Sequence, residues 1–126
     1  MIKTAIFDFD GTLADTIPLC REAFRRAVRE LDGRTLTDEE IERQFGPDDL
    51  GVIQRLLPGK PELHEKGREL FLRYYHELHP ELAPTPFPGA AGLLHALRSR
   101  GIRLAMVTGK RLELSLIHIS EPTRLR

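Results

Sequence analysis

The sequence predicts an α/β fold, a parallel sheet interrupted by a helical insertion. Three observations lead there. Two short apolar runs with β-branched members, at residues 2–8 and 102–107, each close on a glycine-containing polar turn. Five helical patterns lie between them, the layout of parallel strands joined through helices. The helical stretch 17–82 is too long for a simple crossover and reads as a small cap inserted after the first strand.

Composition bounds the function. The 126 residues suffice for one ordinary domain, or for parts of two small ones. Apolar residues at 40% and charged residues at 30% describe a soluble, globular chain. Lys plus Arg is 19 and Asp plus Glu is 19, so no net charge favours nucleic acid or an anionic membrane. Cys20 is the one cysteine, which excludes an internal disulfide and a thiolate zinc site, and it reads as a helix-packing spectator. No signal peptide and no membrane-spanning run is visible, so the expected location is the cytoplasm.

Each element has its own signal. IKTAIFD at 2–8 is an apolar run of a buried strand that ends at Gly11. Leu19, Ala23, Phe24, Ala27, Val28 and Leu31 recur at helical spacing, with Gly33 as the stop. Thr37 and Glu40 form a capping-box pattern that opens a short helix. A further helix spans 50–57 and a longer one 62–78, with Leu63, Gly67, Leu70, Phe71, Tyr74 and Leu78 on one face. Pro80, Pro84, Pro86 and Pro88 mark a linker. A helix at 89–100 turns Leu93, Leu94 and Leu97 inward, and 102–107 is a second buried strand.

Ligands of parallel α/β sheets bind at the carboxyl ends of the strands. Here those ends carry Asp8-Phe9-Asp10-Gly11-Thr12 and Thr108-Gly109-Lys110. Asp8 and Asp10 are two apart, so in extended chain both carboxylates face one pocket. Two close carboxylates call for a cation, and magnesium takes carboxylate and phosphate oxygens. One carboxylate can attack phosphorus while a second moves the proton. Gly11 permits a tight turn that brings amides toward a phosphate. A strand-ending Asp-Gly turn is the plain alternative, but Asp8 interrupts a run that would otherwise be buried. A calcium loop fails because Gly11 comes too early and Thr12 replaces the third acidic ligand.

FDFDGTLADT at 7–16 closely resembles the first motif of the haloacid dehalogenase-like (HAD) hydrolases, and LAMVTGK at 104–110 resembles their second. The spacing is similar to that of the phosphoglycolate-phosphatase-like subgroup, whose cap follows the first motif. The resemblance implies a parallel Rossmann-like HAD core, incomplete here, with an inserted α-helical cap. It implies Asp8 as nucleophile and magnesium ligand, and Asp10 as general acid/base with its carbonyl on the metal. It implies Thr108 and the Gly109 amide on a phosphate oxygen, with Gly11 in the phosphate-binding turn. Dehalogenases of the family lack the second Asp, so Asp10 points to phosphoryl transfer. Lys110 is open between a substrate contact and a solvated helix start. The implied partner is a small phosphorylated metabolite, and the sequence leaves the oligomeric state open. A phosphosugar mutase of the β-phosphoglucomutase kind shares the two aspartates and is the alternative enzyme; a non-catalytic fragment is the alternative outside catalysis.

Other groups read as structural. Arg21, Arg25 and Arg26 form a solvated helix face, and the turn 46–49 is an interhelical connection before it is a substrate loop. His64, His76, His79 and His95 are scattered on polar positions. The segment LSLIHISEPTR at 114–124 resembles a translated sequencing adapter. The expected organisation is therefore a partial core at 1–16 and 83–113, a cap at 17–82 and a non-native tail at 114–126. The lysine and acidic motifs that the family places further on then have no room, and the chain as given is expected to be inactive and unstable, with a bare sheet face.

Overall fold

The computed structural model describes residues 1–83 and 85–107. In chain order these form β1 (Thr4–Phe7), α1 (Ile17–Asp32), α2 (Asp38–Glu42) and α3 (Asp49–Leu56). A 3₁₀ turn at Pro61–Leu63, α4 (His64–Leu82), α5 (Ala90–Ser99) and β2 (Arg103–Met106) follow. The strands are parallel, with Thr4 opposite Arg103 and Phe7 opposite Met106.

Among the described residues, two separate apolar clusters form the core. The larger lies wholly among the helices from α1 to α4, around Leu19, Phe24, Ile41, Ile53, Leu57, Phe71 and Tyr75. The smaller joins the turn after β1 to α5 and the strands, through Phe9, Leu13, Ala14 and Leu94. In the first cluster Phe24 of α1 stacks on Phe71 of α4 at 4.0 Å between centroids, and Tyr75 meets Phe71 edge-on at 5.9 Å. Gly67 lets α4 approach closely, since a Cβ there would lie 2.9 Å from Ile53.

The helix boundaries follow from local chemistry. Gly33 ends α1 in the left-handed region, at φ 80°, and its N–H donates to the Arg29 carbonyl. The Thr37–Glu40 capping box is present, with both hydrogen bonds made. Asp48 caps α3 by accepting from Gly51 N–H at 2.9 Å, so the turn at 46–49 serves as a helix start.

Four expectations are corrected. Both strands were expected to be buried, yet Ile6 is 65% and Val107 is 66% exposed. Strand side chains alternate, and α5 covers only the face carrying Phe7, Leu104 and Met106. Pro80 lies inside α4, not in the linker. It comes two residues before the helix end and loses one backbone bond, while Leu78 and Leu82 beside it keep packing on the core. Tyr75, not Tyr74, is the buried tyrosine of α4, because the inward positions run 67, 71, 75 and 78. Leu93 faces outward at the side of α5, where Leu94 alone is buried.

Candidate active site

β1 stops at Phe7, and Val107 N–H donates to the Phe7 carbonyl at 2.9 Å. That bond sets the carboxyl ends of β1 and β2 side by side. Asp8 leaves the sheet there with an exposed carboxylate, whose Oδ1 accepts from Phe9 N–H at 2.8 Å. The chain then folds on itself. The N–H groups of Thr12 and Leu13 donate to the Phe9 carbonyl, and Gly11 N–H donates to the Ala14 carbonyl at 2.8 Å. Gly11 sits at φ 72°, a conformation that L side chains rarely adopt. Its amide is committed to Ala14, so what Gly11 supplies among the described residues is the turn. Phe9, Leu13 and Ala14 are buried under this loop and fasten it to α5. Phe87 N–H donates to the Leu13 carbonyl at 2.9 Å and pins the linker onto it.

Asp10 is half-buried and forms a β-bridge to Ala14. Its Oδ1 accepts the hydroxyl hydrogen of Thr16. Thr16 is 0% exposed and is the N-cap residue of α1, yet its side chain makes no capping bond. The hydroxyl is turned to Asp10 instead. Sequence reading gave Thr16 no role, because a threonine before a helix looks like an ordinary cap. Its signal was its place at the end of FDFDGTLADT.

Tyr75 is 0% exposed, and burial pushes its phenol well above the usual range, with Cys20 and Asp10 adding to the effect. Cys20 is half-buried against the helical core. Three of the arginines of α1, Arg21, Arg25 and Arg26, are paired with nearby carboxylates. Arg21 pairs with Glu42 at 2.6 Å, Arg25 with Glu22 and Asp38, and Arg26 with Glu22 at 2.9 Å. Burial pushes the Glu22 carboxyl up, but hydrogen bonds from Arg26 and Arg25 hold it below its ordinary value. Arg21, Glu22, Arg25, Arg26 and Asp38 line an open cleft of about 330 Å³ between α1 and the end of α4. His64 Nε2 is 2.8 Å from the Leu57 carbonyl, a contact within the fold.

Thr108, Gly109 and Lys110, together with the tail at 114–126, lie outside the described residues. Asp8 and Asp10 present only oxygen donors at a polar, partly open loop, which suits a hard cation such as magnesium. The set is partial: among the described residues no group of three or more His, Cys, Asp or Glu could hold a metal ion. Magnesium commonly keeps several waters and takes one or two carboxylates with substrate phosphate, so two carboxylates fit its habit.

The family model of haloacid dehalogenase-like hydrolases matches residues 5–121. The chain belongs to that family. A phosphoglycolate phosphatase of Neisseria meningitidis is 31% identical over 116 residues, covering 86% of this chain and 48% of the relative. One from Aquifex aeolicus is 29% identical over 114 residues, covering 90% of this chain and 52% of the relative. CbbY from Rhodobacter sphaeroides, solved in complex with phosphate, superposes with a TM-score of 0.76 at 27% identity, covering 98% of this chain and 60% of that one. The fold, with its two parallel strands, is thus the α/β fold of the HAD hydrolases. This HAD chain spans about half the length of the curated relatives it matches. No helix among its described residues is long and apolar enough to cross a membrane.

Proposed function

We propose that the whole protein is a magnesium-dependent, cytoplasmic phosphatase of small phosphorylated metabolites, similar to the phosphoglycolate phosphatases. The observation that carries this reading is the pair Asp8 and Asp10 on one tight loop at the carboxyl end of β1, with Asp10 held by Thr16. Asp8 is the exposed member and acts as nucleophile. Its oxygen forms a bond to phosphorus as the bond from phosphorus to the leaving oxygen breaks. Asp10 gives its proton to that leaving oxygen. Asp10 then takes a proton from water, the water oxygen attacks phosphorus, and the bond to Asp8 breaks to release phosphate. Magnesium, held by Asp8 and Asp10, would offset phosphate charge when bound.

Residues 17–82 are the cap in this reading, a lid that excludes water over the loop, while 1–16 and the segment from 83 onward belong to the core. Thr108 and the Gly109 amide hold a phosphate oxygen, and Lys110 is a candidate substrate contact. The two separate apolar clusters support the division. The test is hydrolysis of a phosphate monoester panel that includes 2-phosphoglycolate, with magnesium chloride and the protein encoded by the whole gene. Phosphate release that stops with a chelator is expected, and Asp8→Asn should lower it by at least ~10³-fold. Full activity in Asp8→Asn would overturn the nucleophile assignment.

A further inference from the structure

We infer that residues 35–45 form a strap that opens from the helical unit as one piece, latched by the Arg21 and Arg25 guanidiniums of α1. The inference does not rest on the proposed function. Three observations carry it. The first is how the strap is tied. Among the described residues, no backbone hydrogen bond joins 35–45 to the rest of the chain. The N–H groups of Ile41, Arg43, Gln44 and Phe45 donate to the carbonyls of Thr37, Glu39, Ile41 and Glu42, all within the strap. Its polar ties to other segments are made by arginine side chains that reach in. Arg25 Nε donates to the Leu36 carbonyl at 2.9 Å, and the same guanidinium holds the Asp38 carboxylate. Arg21 holds Glu42 at 2.6 Å and lies 3.8 Å from Asp38, and Arg55 of α3 donates to the Gln44 carbonyl at 3.3 Å.

The second observation is how little of the strap is buried. α2 has five residues and buries Ile41 alone. Leu36 adds one buried side chain, and Phe45 leans half-buried on Phe24, at 6.3 Å between ring centroids. A helix that short does not persist without a partner, so a released strap loses its internal bonds together. The third observation concerns the ends. Before the strap, Arg34 is fixed by Asp32 and by the Leu56 carbonyl. After it, Gly46 stands at φ 133°, with no atom within 4 Å of where a Cβ would sit, so it can absorb a change of chain direction. The strap can thus lift while α1, α3 and α4 keep their packing. Asp38 is also part of the wall of the cleft between α1 and the end of α4, so opening takes that carboxylate out of the cleft. The Asp38 and Glu42 side chains are 57% and 43% exposed, so dissolved salt weakens the latch.

The test is hydrogen exchange followed by NMR in the whole-gene protein and two variants. Arg25→Met keeps the apolar stem and removes the latch. Arg26→Met removes an arginine of the same helix that holds Glu22 and no group of the strap. In Arg25→Met the amides of Ile41, Arg43, Gln44 and Phe45 should exchange about tenfold faster, all by one factor, while α1 and α4 change less than about twofold. Arg26→Met should leave the strap within about twofold of the wild type. In the wild type, raising sodium chloride from about 0.05 M to about 1 M should speed the same four amides about threefold relative to α4. Unchanged exchange in Arg25→Met, an equal effect of Arg26→Met, unequal factors along the strap, or an equal speeding of α1 and α4 would overturn the inference. If Arg25→Met does not fold, the salt series decides, and the absence of a rise relative to α4 overturns it.

Discussion

Single residues carry this molecule's polar organisation, and Asp32 is one of them. It sits at the end of α1, where Arg34 N–H and the Arg34 guanidinium at 2.7 Å reach it and Lys60 lies 3.5 Å away. Burial pushes its carboxyl up, but the Arg34 bonds win and hold it below the ordinary value of 3.8. A folded value below the unfolded one means stability that is present above the unfolded value and is lost as pH falls through the folded one. Asp32→Asn should therefore cost about 1 kcal/mol at neutral pH, and the gap to wild type should narrow as pH falls below about 4. Urea unfolding at a series of pH values measures it; a gap independent of pH would contradict it. Asp8 and Asp10 were legible without any structure, because a carboxylate that interrupts an apolar strand run needs a reason to be there. Thr16 was not, because the direction in which its hydroxyl turns depends on where the loop folds back.

At the scale of elements, periodicity and capping signals located the five α-helices of the described residues, and the packing partners decided the faces. The tyrosine exchange shows the difference. Tyr74 and Tyr75 are neighbours on α4, and which one turns inward depends on the line along which α1 crosses. Tyr75 is buried with Phe71, while Tyr74 hydrogen-bonds Glu30 at the surface. Gly67 records the same contact. Alanine there should gain about 1 kcal/mol of helix propensity. Its Cβ would meet Ile53 at 2.9 Å and Leu31 and Leu57 at 3.4 Å, and such overpacking costs about 1–3 kcal/mol. Gly67→Ala should thus lower Tm by a few degrees, readable by circular dichroism. A raised Tm would show that α4 stands further from α3 than the packing describes.

The whole molecule divides into two packing units of unequal strength. The helical unit has a closed core with large aromatic and aliphatic side chains, while β1, β2 and α5 share a small one and expose Ile2, Ile6 and Val107. Backbone amides open locally where few apolar contacts hold them. Hydrogen exchange should accordingly be at least about tenfold slower in α1 and α4 than in β1 and β2 of the 126-residue chain. Equal protection throughout would mean one cooperative unit. The α/β class, the order of elements and the carboxylate pair were determined by sequence alone, since they rest on local periodicity and on residue types that are costly to bury. Tertiary structure alone decided that each strand hides one face, that Pro80 stays within α4, and that the Thr16 hydroxyl serves Asp10 and not its own helix. Those choices compare the burial and hydrogen bonds available from distant segments, and no local pattern contains that comparison.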